Sequence, residues 1–300
     1  MALFAAKIGV AQQVPYLGYN PPIHRPAYSE GKGPVIGVDE AHNNYHTATG
    51  RYAAFANLLR RDGYRIERVK KDFTAKGLTG LDILVISNPL HSSNNGNWTL
   101  PTPSAFTNEE IAAVKHWVSE GGSLLLIADH MPFPGAAGEL AESFGFTFSN
   151  GFAYLGNDAP GQPDYWSRGL GLADCVIANG RNKSEAVQQV VSFTGSAFQA
   201  PEGAIPVLVF PPKSISKVTP VAWQFDEKTV EVPIDGWLQG SIMQVGKGRI
   251  AVWGEAAMFT AQLSGRDKRP MGMAALYAQE NFQLLLNLMH WLSDLEGMPD

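Results

Sequence analysis

Histidines and acids gather where the apolar runs of this chain stop. The run Pro34 to Val38 ends in Asp39, Glu40 and His42, with His46 one helical turn further on. The run Leu81 to Ile86 ends in Ser87, Asn88 and, just beyond, His91. Ser123 to Ala128 ends in Asp129 and His130, and Arg249 to Gly254 ends in Glu255. Imidazoles and carboxylates brought to one place hold a divalent metal or move protons. The His42/His46 spacing would put both rings on one helical face, a common arrangement for holding a transition metal; the other reading is that either ring bonds only to backbone. Asp129 beside His130 would fix an imidazole tautomer or complete a coordination shell. The candidate ligands are His42, His46, His91, Asp129 and His130, in a subset the sequence leaves open. Imidazole ligands favour zinc, manganese or iron, whereas a carboxylate and carbonyl shell favours calcium.

Three acids are candidates for proton transfer: Asp39, Glu40 and Glu255. Adjacent strand residues face opposite sides, so one of Asp39 and Glu40 points into a crevice while the other pairs with a helix or with Arg51. Glu255 is read either as a general base or as the cap of a following turn, and both readings stand. Substrate contacts are expected from Asn88, Arg51, Tyr154, Trp166 and Gln262. Asparagines at 43, 44, 88, 94, 95 and 97 surround the same strand ends. They are turn residues, or amides which beside exposed aromatics suit hydroxylated substrates such as sugars or lactones. His116 and His290 lie in helical segments beside tryptophans and are assigned to packing, and His24 to a proline-rich arm.

The elements that must carry these residues follow from periodicity. Strands are expected at 35–38, 64–69, 82–86 and 124–128, and helices at 51–62, 107–120 and 138–144. Thr107 with Glu110 forms a capping box, and Gly121-Gly122 stops that helix. Such alternation with short connections predicts an α/β fold: a flavodoxin-like, open, mostly parallel sheet with helices on both faces. Ligands bind such sheets at the carboxyl ends of the strands. Residues 1–33 read as an extended arm and 34–300 as one domain, with 147–205 an irregular insertion or lid containing a helix at 183–191. The remainder returns to strands at 205–210, 218–224, 240–244 and 249–253, the last two joined as a hairpin by Gly246-Lys247-Gly248, before a final helix over 279–295.

Composition narrows the function classes. Hydrophobic residues make up 45% and charged residues 17%, with a net charge of −5, which gives no electrostatic footprint for nucleic acid. No apolar run reaches the roughly 18 residues that cross a bilayer. Cys175 is the sole cysteine, so no internal disulfide forms, and its apolar surroundings predict an inert buried thiol. The start, Met1 to Ala11, is short for a signal peptide and reads as a remnant of one or an artificial start. Low charge with many Asn, Gly, Pro and Trp points toward a periplasmic or secreted location.

Two stretches resemble the class I glutamine-amidotransferase-like superfamily, in particular its ThuA-like branch. One is the order of elements from Val35 to Phe144. The other is Gly246 to Phe259 (GKGRIAVWGEAAMF), followed by Asn281 and by His290, Trp291 and Leu292 on the last helix. The resemblance implies the fold. It also implies a nucleophilic cysteine at the elbow after the fourth strand, where this chain has Ala128, Asp129, His130 and Met131. That departure argues against a glutaminase. The residues together predict metal-assisted hydrolysis of an ester or lactone, or of a carbohydrate derivative, with a small-molecule substrate. The rival expectation is a non-catalytic module that binds a carbohydrate or a partner.

Overall fold

A computed structural model describes residues 13–156 and 163–295. The chain is α/β, with a large mixed sheet of twelve strands and few helices. Five of its strands run parallel, in the spatial order Arg65–Val69, Val35–Asp39, Ile83–Ser87, Ser123–Ile127 and Gly248–Trp253. The expectation of a mostly parallel sheet needs correcting beyond that point. Leu238–Val245 returns antiparallel to Gly248–Trp253, and Ile205–Val209 continues antiparallel beside it. Gly171–Leu172, Asp164–Arg168 and Gln189–Ser192 complete that side. Only the Leu238–Val245 and Gly248–Trp253 pair is a tight hairpin, whose two-residue turn leaves no length for a crossover helix and so fixes antiparallel pairing there; Gly171–Leu172 pairs parallel with Asp164–Arg168.

Period-two alternation sorts the strand side chains onto two faces. Ile36, Val38, Ile83, Val85, Leu125 and Ile127 pack with Phe55, Leu58 and Leu59 of helix Ala53–Arg61 and with Leu284, Leu285 and Leu288 of helix Asn281–Leu292. Leu84, Ile86, Leu124, Leu126, Ile250 and Val252 pack on the other side. Their partners are Val114 and Val118 of helix Asn108–Ser119 and Phe133 and Leu140 of helix Phe133–Glu142. Each such side chain contributes about 1.5–3 kcal/mol on burial. The strand ends are therefore anchored by packing on both faces, and the polar residues that follow them need not hold the sheet together.

Two local devices set the edge in place. Thr107 Oγ1 accepts from Glu110 N and Glu110 Oε2 accepts from Thr107 N at 3.0 Å, the expected capping box. The hairpin turn at Gly246 and Lys247 lies on the end of the same helix, Lys247 N donating to Ser119 O at 3.0 Å. A Cβ at Gly248 would overlap the carbonyl oxygens of Gly122 and Val118, so only glycine permits this approach.

Elsewhere the expectations are corrected. No helix forms over 183–191: Asn182 and Ser184 make a turn, Glu185 pairs with Arg181 at 2.6 Å, and Gln189–Ser192 pairs as a strand with Asp164–Arg168. β-Branched Val190 and Val191 suit that pairing better than a helix interior. The strand expected at 218–224 stops at Val218, within Ile215–Val218, and the segment after it turns back over the sheet edge. His116 is exposed rather than packed, whereas His290 is buried with Nε2 2.7 Å from Asp62 Oδ2. Cys175 is buried, which raises its thiol pKa. Within the arm, Gln13–Pro15 pairs with Ala261–Ser264 and Ala27 N donates to Asp62 Oδ1 at 2.8 Å. The stretch Met1 to Ala11 lies outside the described residues. No helix among the described residues is long and apolar enough to cross a membrane.

Two glycine variants test this packing. Gly248→Ala should destabilise by about 1–3 kcal/mol or more, since backbone must move to admit the methyl group. Gly138→Ala, in an open helical position with nothing within 4 Å, should stabilise by about 0.5–1 kcal/mol. Urea unfolding of both variants reads the two signs.

Candidate active site

The carboxyl ends of three neighbouring parallel strands meet around Asn88. Its side-chain oxygen accepts from Asp129 N at 2.9 Å, and its carbonyl accepts from Tyr45 N at 2.9 Å. One residue thus ties the chain after Ile83–Ser87 to the chains that follow Val35–Asp39 and Ser123–Ile127. Asn88 adopts φ +50, a left-handed conformation that asparagine tolerates better than most residues. Its Nδ2 is buried with no hydrogen-bond partner.

His42 lies in the same turn, but both of its ring nitrogens are used. Nδ1 is 2.9 Å from either Asp39 oxygen, and Nε2 is 2.8 Å from Glu110 Oε1. Phe73 and Phe106 lie 4.6 and 4.7 Å from the ring. Burial opposes charge on this imidazole, yet the Asp39 and Glu110 carboxylates outweigh it and raise its pKa. Burial likewise disfavours the Glu110 carboxylate, but bonds from Thr107 N, Phe73 N and His42 lower its pKa. The assembly is a buried ion-pair network that organises the turn.

Asp39 and Glu40 are also committed elsewhere. The Asp39 carboxylate, fully buried, accepts from Ala41 N at 3.1 Å and Asn44 Nδ2 at 2.9 Å besides holding His42. Glu40 accepts from Ala48 N at 3.0 Å and pairs with Arg68 at 2.6 Å, so its cationic partner is Arg68 and not Arg51. Neither faces the edge as an acid or base. Glu255 is fully buried and both its oxygens accept backbone N–H, from Ala257 and Met258, at 2.7 Å. Of its two readings this geometry matches the cap. Burial, then the nearby Asp129 carboxylate, raise its pKa well above the usual range, while the two N–H bonds pull the other way.

What the structure does bring together is His46, Arg51, Asn88, Asp129 and His130. His130 Nδ1 is 2.8 Å from Met131 O, so Nδ1 carries the proton and Nε2 is the basic nitrogen. Among the described residues the hydrogen bonds of His130 are made by its backbone and by Nδ1, none by Nε2. Asp129 Oδ1 accepts from His130 N at 2.8 Å, and its other oxygen lies 3.5 Å from Ala256 N. His46 is buried 4.7 Å from the Tyr52 ring, with Nδ1 unpartnered. Burial, reinforced by Arg51 and His130, pushes its pKa down to about 3. The Arg51 guanidinium stacks 4.0 Å from the Tyr45 ring, and its Nε is buried without a partner.

The walls combine Phe152, an aromatic of the insertion expected to form a lid, with Trp98, Phe133 and Trp223, which the sequence did not flag. Phe152 stacks on His130 at 4.6 Å, Trp223 meets it edge-on at 4.6 Å, and Trp98 and Phe133 lie within 5.8 Å. Trp98 and Trp223 arrive on loops that are bound together, Ala222 N donating to Trp98 O at 2.9 Å and Leu100 N to Pro220 O at 2.9 Å. Trp223 is 48% exposed at φ +65, an unusual conformation for a bulky residue and the one available signal of a special position.

Four expected residues stand apart from this set. His91 Nδ1 bonds to Ser93 and caps the short turn Ser92–Asn94. Trp166 is a core residue, its indole N–H donating to Ser192 Oγ at 2.8 Å and its ring against Phe210. Gln262 bonds to Thr260 on the strand that receives the arm. Tyr154 packs with Met131 and Phe152 beneath the walls, and burial raises its hydroxyl pKa to about 12.

A metal was expected among His42, His46, His91, Asp129 and His130; His46, Asp129 and His130 share the edge, but among the described residues no three of the five bring ligand atoms within 4.8 Å of one another. Among the described residues, the one group of three or more ligand atoms within 4.8 Å of one another is His42, Asp72 and Glu110. There an ion would have to displace a carboxylate from His42, whose ring nitrogens are both engaged. The fit is poor. A surface depression of about 490 Å³ beside Arg168 lies on the antiparallel side, where Arg168 is already bonded to Asp174 and Asn179.

His42→Asn should cost about 3–5 kcal/mol by leaving buried carboxylates short of a cation. Because the folded-state pKa of His42 is raised, its contribution is complete below about pH 6.5 and fades as pH rises through the folded value. The gap in urea stability between wild type and variant should narrow from pH 6 to pH 9. His46 behaves oppositely, and ring NMR at pH 5 should find it still neutral.

A scan against models of protein families returned no match, and no curated protein matched. Solved structures do match. The N-terminal domain of mmIFT52 superposes with a TM-score of 0.60 at 17% identity, over 86% of this chain and 97% of that one. A ThuA-like protein from Bacteroides uniformis gives 0.50 at 13%, over 88% and 94%. A GMP synthase component from Thermoplasma acidophilum gives 0.44 at 13%, over 87% and 95%, a score too low to carry weight. At these identities the likeness concerns the fold alone, which this chain shares with the mmIFT52 domain and the ThuA-like protein.

Proposed function

We propose that the carboxyl edge around Asn88 binds a small oxygen-rich molecule and hydrolyses an ester or lactone, a carbohydrate derivative being the next substrate class. One observation carries this reading. Polar groups of His46, Arg51 and Asn88 are buried without partners at one edge, beside a histidine whose basic nitrogen is free. Burying such groups unpaired costs about 1–3 kcal/mol each, a cost a ligand would relieve.

In this reading His130 Nε2 takes a proton from water as the water oxygen attacks the carbonyl carbon. Arg51 Nε–H and the Asn88 amide donate to the developing oxyanion, preorganised as in other acyl-transfer sites. Collapse breaks the acyl C–O bond, and the departing alkoxide receives the proton from His130 Nε2. Asp129 orients the turn bearing His130 through its bond to His130 N. The expected metal-bound water has no supporting ligand set here, so the base is an imidazole. The binding-module reading shares the donors and aromatic walls but needs no free Nε2.

Turnover of p-nitrophenyl acetate and a simple lactone is the test. His130→Ala should lower turnover by roughly 10²–10⁴-fold while the fold survives, and dialysis against a chelator should leave the wild type unchanged. Full activity in His130→Ala sinks the proposal. Activity lost on chelation and restored by zinc would return the metal mechanism.

A further inference from the structure

Arg51 is the unbalanced charge of the edge. Arg68, Arg168, Arg181, Arg249 and Arg269 are all ion-paired, and Arg51 is not among them. Among the described residues, Arg60, Arg61 and Arg65 also lack an ion pair but donate to Asn57 Oδ1, Pro21 O and Gly33 O, whereas Arg51 has neither an ion pair nor an acceptor for its buried Nε–H. Its guanidinium is fixed in orientation by the Tyr45 ring, and its Nε–H is buried with nothing to donate to. A partly buried cation without a counter-ion is costly, and side chains in this position normally find a carboxylate.

The surrounding groups narrow what would complete it. Tyr45 holds both donors together, its ring beneath Arg51 and its N–H on the Asn88 carbonyl. The Asn88 oxygen is taken by Asp129 N, so the free end of that amide is its NH2, a donor, 99% buried with its residue. His46, 97% buried, adds a polar nitrogen but no charge. The site therefore offers several donors and one positive charge. That matches a planar monoanion with two oxygens, since a guanidinium fork fits a carboxylate. A phosphate dianion would bring a second negative charge beside Asp129 with no second cation to meet it. The walls of Trp98, Phe152 and Trp223 suit a ligand body with an apolar ring face.

We propose that Arg51, Asn88 and His46 form the anchor of a carboxylate-bearing, ring-containing small molecule, held with its body against Trp98 and Trp223. This rests on the reading of the edge as a ligand site and deepens it. Ester or lactone hydrolysis generates a carboxylate, so the product itself would occupy the anchor.

The test uses the full chain with sodium benzoate, benzamide and inorganic phosphate, followed by calorimetry and by the ring NMR signals of His46 and His130. Benzoate should shift both rings saturably, and benzamide at equal concentration should not. Arg51→Gln should weaken benzoate by roughly 10- to 100-fold, the worth of a charged hydrogen bond, with Arg51→Lys in between. The comparison of benzoate with benzamide stands on the wild type alone, should Arg51→Gln fail to fold. Equal binding of benzamide, tighter binding of phosphate than benzoate, or unchanged affinity in a folded Arg51→Gln overturns the proposal. Benzoate binding without ester turnover would reject the hydrolase and leave the anchor intact; turnover with no response to benzoate would do the reverse.

Discussion

The arrangement of the edge depends on one imidazole held between two buried carboxylates. Asp39 ends a fully buried strand, and Glu110 is the capping residue of a helix on the opposite side of the same turn. Each acid alone would be an uncompensated charge away from water; His42 between them makes the burial tolerable. The same Glu110 accepts from Phe73 N and Thr107 N, so strand end, connecting loop and helix start are fixed by a single network. The chain leaving this clamp is Asn43 to Tyr52, which carries His46 and Arg51 to Asn88 and Asp129. Placement of those residues therefore depends on a histidine both of whose ring nitrogens are engaged by carboxylates.

The contrast between His42 and His46 separates structural from functional polarity. Both rings are buried in one loop, four residues apart. His42 has every polar atom satisfied and gains charge from its partners, whereas His46 has an unpartnered nitrogen and is held neutral. Satisfied networks stabilise a fold, and unsatisfied ones are retained where something else completes them. By that criterion the acids divide as well. Asp39, Glu40 and Glu255 are saturated by backbone and side-chain donors, while Asp129 is held in the turn that presents His130.

Much of this was legible in the sequence. Apolar runs located the parallel strands, the Thr107/Glu110 box located a helix start, and the rule that ligands meet carboxyl strand ends put His46, Asn88, Asp129 and His130 at one edge. The glycines at 246 and 248 marked the hairpin. Of the antiparallel half, the strands at 205–210, 240–244 and 249–253 were legible, but those within 147–192 were not, because they are short, irregular and completed by partners such as Asp164–Arg168 for Gln189–Ser192. Nor could the role of each histidine be read. Whether a ring is clamped or free is decided by a residue 68 positions away, Glu110 for His42, and local spacing carries no record of that. His-x3-His at 42 and 46 has the pattern of a shared ligand pair, yet the loop is not helical and the two rings serve different networks.

The aromatic enclosure of His130 bears on its chemistry as well as on its packing. Four rings within 5.8 Å limit the water that reaches this imidazole and lower the local dielectric. In the proposed reading, hydrogen bonds from Arg51 and Asn88 to an oxyanion would be worth more in such surroundings than in open solvent. The same surroundings make the unpaired donors expensive while nothing is bound, which couples ligand affinity to the instability of the empty edge. The loops carrying Trp98 and Trp223 are joined to each other by backbone bonds while their rings rest on His130. Displacing one tryptophan therefore strains the other loop, so in the proposed reading a ligand that fits between them would be selected by shape at the rim and by charge at Arg51.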